Sequence, residues 1–311
     1  MSTYDTIIIG GGPAGLSAGI YAMRSRLNTV MVEKFMPGGQ MMITDFVENY
    51  PGFPAGIGGP DLSMEMEKQA RSLGLEILST EVLSVDIAGK EKIVVTADGE
   101  LRAPTVILAP GATPRTLGVP GEGKFLGRGV STCATCDGAF FRDKEIAVIG
   151  GGNTAIQDSV FLTRFASKVT IIHRRDALRA TKILQERAFK NPKLEIVWDS
   201  VVEDIHGNGK VEGITLRNVK DDSTKVLPID GVFVLIGTVP NTEFLRGSSI
   251  VLDPDGYILT NEEMQTNVQG VYAAGDCRRK FLRQMVTAAS DGAIAAVAAE
   301  HYIEALADSS R

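Results

Sequence analysis

Apolar residues recur along this chain in short blocks that end in glycine. The first block, TIII at 6–9, runs into GGGPAG, then a helix-compatible segment, then a second β-rich run, TVMVE at 29–33. The order returns as IAVI at 146–149, GGGNTA at 150–155, another helix-compatible segment and VTIIH at 169–173. Residues 6–34 and 146–174 align without a gap. Gly10, Gly12 and Gly15 fall on Gly150, Gly152 and Ala155, and Arg24 falls on Arg164. Each copy is a strand–turn–helix–strand pattern.

Between the copies the pattern changes. PGGQ at 37–40 and ENYPGFPAGIGGP at 48–60 are loop chemistry. DLSMEMEKQARSLG at 61–74 has helical periodicity, with Asp61 placed as an N-cap. From 76 to 108 apolar and polar positions alternate as in strands, with Asp98-Gly99 as a hairpin turn. The second unit repeats this β-rich part at 195–237. ILAPGATP and VLIGTVPN close the two units alike. A strand at 270–276 and a helix from about 284 to 306 finish the chain. The segment 245–311 has no counterpart in the second unit, so it completes the first. The expected fold is α/β, with two Rossmann-like, three-layer ββα dinucleotide-binding domains. The first is discontinuous, 1–115 with 245–311; the second spans 116–244.

The length of 311 residues suits two domains of roughly 100–200 each. The net charge of −6 argues against a nucleic-acid surface. No apolar run approaches the ~20 residues that span a bilayer. The opening MSTYDTIIIG lacks the basic start of a secretory signal. Three cysteines, Cys133, Cys136 and Cys277, do not make a secreted disulfide framework. A cytoplasmic protein is expected.

The glycine pattern has a physical reason. In G-x-G-x-x-G/A the first glycine makes a tight turn and the second lets the backbone approach a pyrophosphate. The third position stays small so that helix and strand can pack. The helix N-terminus then offers N–H groups to the phosphates. One such motif is weak evidence; two in register, each between strand and helix, are strong. The copies differ where the second strand ends. Glu33 in the first aligns with His173 in the second, which Arg174 and Arg175 follow, with Arg179 four residues on. An acid there bonds a free ribose hydroxyl, as in FAD or NAD, whereas arginines favour the 2′-phosphate of NADP.

STCATCDG at 131–138 places Cys133 and Cys136 two residues apart, with Asp137 next. A structural zinc site needs four ligands, and no second pair has ligand spacing. A redox dithiol is the coherent reading in a chain with two dinucleotide motifs. Asp137 is either a proton donor and acceptor beside a thiolate or a turn residue before Gly138. Cys277 reads as a small buried residue.

These motifs together resemble the two-dinucleotide-binding-domain flavoprotein disulfide reductases, and most closely the low-molecular-weight bacterial thioredoxin reductases. The resemblance rests on GGGPAG, GGQ (38–40), ENYPG (48–52), STCATCDG, GGGNTA, HRRDALRA (173–180) and GDCRRKFLRQMVTAASDG (275–292), in that order. It implies FAD held by Gly10, Gly12, Gly15 and Glu33. Gln40 and Asn49 would line the flavin end, Asp276 the ribityl and phosphate region, and Gln284 and Met285 the isoalloxazine. It implies NADPH on Gly150, Gly152, Thr154, Ala155, His173, Arg174, Arg175 and Arg179. Electrons would pass from NADPH through FAD to Cys133–Cys136 and on to thioredoxin, in a homodimer. Cys136 would face the flavin and Cys133 would attack the substrate. The NADPH domain would rotate between half-reactions on crossings near 112–120 and 238–246. Two positions depart from the family pattern. Ala109-Pro110-Gly111 stands where A-T-G is common, which removes an N–H that could bond FAD. Gln157-Asp158 replaces paired glutamates. Three other readings compete. A ferredoxin–NADP reductase of the same architecture lacks the cysteine pair, a hydroperoxide reductase adds an N-terminal redox domain, and a non-enzymatic nucleotide-binding module needs no dithiol. Another thioredoxin-like or glutaredoxin-like acceptor remains the alternative substrate.

Overall fold

The computed structural model describes residues 4–44 and 46–309; the outermost residues of the expected first domain, 1–3 and 310–311, lie outside the described residues. The chain divides into two compact units, Met1–Thr113 with Val239–Arg311, and Pro114–Thr238.

The first unit opens with β1 (Thr6–Ile9), α1 (Pro13–Arg24) and β2 (Thr29–Glu33), followed by α2 (Gly59–Ser72) and β3 (Glu76–Ser79). An antiparallel meander follows: β4 (Val82–Asp86), β5 (Lys92–Thr96) and β6 (Gly99–Ala103). The chain returns to the main sheet in β7 (Thr105–Leu108) and leaves in β8 (Ala112–Pro114). The second unit contains β9 (Val130–Ser131), α3 (Ala134–Asp137), β10 (Glu145–Ile149), α4 (Asn153–Leu162), β11 (Lys168–Ile172), α5 (Lys182–Phe189) and β12 (Leu194–Val197). Its own meander is β13 (Ser200–His206), β14 (Gly213–Asn218) and β15 (Thr224–Pro228), and β16 (Gly231–Val234) rejoins the sheet. The chain then re-enters the first unit through β17 (Thr238–Pro240), β18 (Val271–Ala273) and the long α6 (Met285–Ser309).

The two five-stranded parallel sheets share one order. The first runs β18-β7-β1-β2-β3 and the second, read the same way, β9-β16-β10-β11-β12. Strand side chains alternate between faces, so each sheet feeds two cores. Ile7 and Ile9 pack with Val94, Leu101 and Ala103 on the meander side. Ile8, between them, packs with Ala18 of α1 and Ala295 of α6 on the helical side. The second unit repeats this: Ala147 and Ile149 meet Val202 and Ile214, while Ile146 and Val148 meet Ala155, Ile156 and Leu162. Each unit is therefore the three-layer ββα arrangement expected. The polar Thr6 and Thr105 inside the first sheet hydrogen-bond each other at 2.7 Å, which avoids a buried orphan.

Three expectations shift. Asp61 does not cap α2. The helix begins at Gly59 with Gly58 as N-cap, and Asp61 sits in its first turn, because Pro60 needs no N–H partner in the first turn and its fixed φ extends the helix backwards. The boundary expected at 115/116 falls at 113/114. The one expected at 244/245 falls at 238/239. Residues 239–245 stay with the first unit because Asn241 donates from its backbone N–H to Gly111 and from Nδ2 to the Pro110 carbonyl (3.0 and 2.9 Å), and Leu245 joins the meander-side core. The hairpin at Asp98-Gly99 forms as expected, with Thr96 Oγ1 accepting from the Asp98 N–H and donating to the Gly99 carbonyl.

Candidate active site

The first glycine turn joins β1 to α1. Gly10 has φ +103°, a conformation few other residues adopt, and a Cβ there would strike the Ala109 carbonyl. A Cβ on Gly15 would strike the Gly10 carbonyl, so this position must be small for the helix to lie on the strand. A Cβ on Gly12 would meet nothing within 4 Å. That open space lies at the N-terminus of α1, where no side chain caps the helix. Glu33, at the end of β2, turns its carboxylate under the same turn: Oε2 accepts from the Gly11 N–H at 2.7 Å and Oε1 from the Phe35 N–H at 3.0 Å.

Other expected residues of this unit converge on that turn in part. Gly38 donates its N–H to the Gly11 carbonyl at 2.7 Å, which docks the short helical turn bearing the exposed Gln40. Asn49 Nδ2 donates to Gln284 Oε1 at 3.0 Å, joining residues far apart in sequence. Met285, half-buried, begins α6. Asp276 follows β18, and its Oδ1 is buried without a hydrogen-bond partner. Burial pushes its carboxyl above the usual range, while Lys280 and Arg283 pull it back. An orphaned acceptor, an open glycine turn and an acid at the end of β2 fit a dinucleotide with free hydroxyls.

The second turn joins β10 to α4. A Cβ on Gly150 would meet the Leu235 carbonyl and Ala155 Cβ, whereas one on Gly152 would meet nothing within 4 Å. Thr154 is exposed in the first turn of α4. The strand end differs from that of the first unit. His173 is only 5% exposed; its ring lies under Gly151, with Nε2 3.1 Å from the Ala177 carbonyl. Burial lowers its pKa, and Arg179 and Arg175 lower it further. His173 thus supports the turn from beneath. Arg174, Arg175 and Arg179 are exposed, and none forms an ion pair among the described residues. The Arg179 N–H donates to the Gly151 carbonyl at 2.8 Å, so the arginine loop is tied to the glycine turn. Three unneutralised guanidiniums at that place suit a phosphate.

The cysteine pair follows β9. Cys133 and Cys136 are joined by a disulfide. Ser131 Oγ accepts from the Cys133 N–H at 3.0 Å and donates to its carbonyl at 3.3 Å. Cys133 caps α3: its sulfur accepts from the Cys136 N–H at 3.2 Å. Once the bond is reduced, that N–H favours a thiolate on Cys133. The Asp137 N–H donates to the Cys133 carbonyl, which fixes the acid on the same turn. Both sulfur residues are partly exposed. Cys277 is different. It is fully buried, its one S–H faces the Ala274 and Leu108 carbonyls at 3.3 and 3.5 Å, and burial pushes its pKa up to about 12. Among the described residues no cluster is placed to hold a metal ion.

The family model for pyridine nucleotide-disulphide oxidoreductases matches residues 4–292. This chain belongs to that family. Within it, the thioredoxin reductase of Peptoclostridium acidaminophilum is 49% identical over 98% of both chains. That of Bacillus subtilis is 50% identical, covering 97% of this chain and 96% of its own. The crystal structure of thioredoxin reductase from Streptococcus pyogenes, 47% identical, covers 97% of this chain and 99% of its own with a TM-score of 0.93. The expected resemblance to low-molecular-weight thioredoxin reductases thus holds in sequence and in fold. As a pyridine nucleotide-disulphide oxidoreductase the chain works with a flavin and a pyridine nucleotide, and among its described residues no helix is long and apolar enough to cross a membrane.

Sequence reasoning missed one part of this oxidoreductase. Asp291, on α6, gathers Arg278, Lys280 and the Gly275 N–H into one buried cluster beside Asp276. The sequence shows only an acid in the TAASDG stretch about ten residues after a basic run, with no periodicity to connect them.

Proposed function

We propose that this chain is an NADPH-dependent, FAD-containing thioredoxin-disulfide reductase that acts as a cytoplasmic homodimer. The observation that carries the reading is a Cys133–Cys136 disulfide in a chain whose two glycine turns end unlike each other, at Glu33 and at Arg174-Arg175. Gly10, Gly12, Gly15, Glu33, Gln40, Asn49, Asp276, Gln284 and Met285 hold FAD. Gly150, Gly152, Thr154, Ala155, Arg174, Arg175 and Arg179 hold NADPH, and His173 supports them. A flavin held there would supply the two-electron chemistry that links a pyridine nucleotide to the disulfide.

The chain's own residues do the rest. Reduction leaves a thiolate on Cys136 and a thiol on Cys133. For exchange, Cys133 loses its proton to Asp137 or water, helped by the Cys136 N–H. Its thiolate attacks one sulfur of the partner disulfide, forming a mixed disulfide and expelling a partner thiolate. Cys136 then attacks Cys133 Sγ, restoring the internal disulfide and expelling the second partner sulfur. Two electrons move, and Asp137 relays the protons. The second unit joins the first by two crossings, at 113/114 and 238/239, on which it would rotate between half-reactions.

The test is NADPH consumption against a panel of thioredoxins and glutaredoxins, with NADH in parallel. Rapid reduction of a thioredoxin with NADPH supports the reading. Preference for a glutaredoxin, or equal use of NADH, reassigns the acceptor or the donor.

A further inference from the structure

The turn after β18 holds more buried charge than binding through Asp276 requires. Asp291, 4% exposed, accepts from Arg278 Nε and Nη2 at 2.9 and 3.0 Å, from Lys280 Nζ at 2.6 Å and from the Gly275 N–H at 3.0 Å. The Lys280 side chain is itself only 6% exposed. Burial pushes the Asp291 carboxyl up, but the bonds from Arg278 and Lys280 outweigh it and hold the group below the usual range.

Asp276 sits within electrostatic reach of Lys280 and Arg283, yet its Oδ1 is buried with no partner. A buried carboxylate oxygen beside an ammonium normally pairs with it. Here both neighbouring cations are held elsewhere. Arg283 donates to the Asp276 and Arg278 backbone carbonyls at 3.3 and 3.4 Å and lies over the Tyr257 ring, 4.1 Å from its centroid. Lys280 is held by Asp291.

We infer that Asp291 is a positioning residue for the flavin site: by holding Lys280, together with Arg278, it keeps the Asp276 carboxylate open to accept a cofactor hydroxyl. This rests on reading the first glycine turn as the flavin-nucleotide site. Without the Asp291 charge, Lys280 turns to Asp276, and the cofactor must break that ion pair to bind.

The test is flavin release from the holoprotein on serial dilution, read by flavin fluorescence, with circular dichroism to report folding. The unchanged protein is the first arm; if it holds no flavin, the reading of the site fails rather than the role of Asp291. Asp291→Asn is expected to lose flavin affinity by at least about tenfold. Adding Lys280→Met is expected to restore affinity to within about threefold, since the competing cation is gone. A merely structural role would not give that recovery. Undiminished flavin affinity in Asp291→Asn overturns the inference, as does a folded double variant that still loses flavin. If Asp291→Asn does not fold, the double variant decides alone. It must fold and hold flavin, and failure in either respect overturns the inference.

Discussion

In the first unit the edge strand β18 runs beside β7; in the second, β9 runs beside β16. Ile9 pairs with Leu108 and Ile149 with Val234, so Leu108 and Val234 correspond. Ala273 pairs with Leu108, while Ser131 pairs with Phe233, one residue short of Val234. Thr132 therefore stands where Ala273 does, and Cys136 and Cys277 each follow that position by four residues, beyond the strands. The two cysteines have opposite characters. After Ala273 the chain turns through Gly275, at φ +80°, and buries Cys277 against carbonyls. After Thr132 it enters α3 from Cys133, with both sulfurs partly exposed and an N–H aimed at one of them. Reactivity here follows exposure and local donors rather than position in the fold.

The sharpest break of that comparison is Cys133→Ser. Reduction of a protein disulfide should fall at least about a thousandfold, because no thiolate remains to start exchange. A smaller loss in an NADPH-coupled assay would mean that another sulfur can serve. Next comes the strand-end difference. Arg174→Ala with Arg175→Ala should lower kcat/KM for NADPH about a hundredfold and leave NADH within about twofold, as expected for two charge-assisted bonds to one phosphate. Equal losses with both donors would show that the arginines serve the fold instead.

A third difference lies on the helices. Asp158 of α4 aligns with Ala18 of α1, which is fully buried. Burial pushes the Asp158 carboxyl to about 6. A raised folded-state value means that ionisation costs stability: the penalty is absent below the unfolded pKa of 3.8 and complete once pH passes the folded value. Asp158→Asn should therefore stabilise the protein by about 1–3 kcal/mol above neutral pH and not at all below about pH 4. Urea melts at the two pH values check this, and a gain independent of pH would contradict the burial account. The smallest effect belongs to Cys277→Ala, with activity within about twofold and a stability loss of about 1 kcal/mol from the small cavity. A large activity loss would make Cys277 more than a packing group.

The glycine turns and Glu33 were legible because their constraints are local: one backbone angle, one close approach and one strand end. The two-faced packing of Ile7, Ile8 and Ile9 was not legible, because three identical apolar residues carry no alternation. What else escaped depends on distant partners. The burial of His173 is set by Gly151 and Trp198. The bond between Asn49 and Gln284 joins two loops that no periodicity connects. Asp291 looked like an ordinary helix acid until Lys280 and Arg278 folded onto it. The early start of α2 was hidden because Pro60 was read as loop chemistry, although proline suits a first turn.

The most direct test of the central claim, that Cys133–Cys136 and not Cys277 carries the electrons, is a thiol titration of the native protein before and after anaerobic addition of NADPH. No accessible thiol is expected before, since Cys277 is buried and the other two cysteines are bonded, and two are expected after. No rise on adding NADPH, or the same rise in Cys133→Ser as in the unchanged protein, would contradict it.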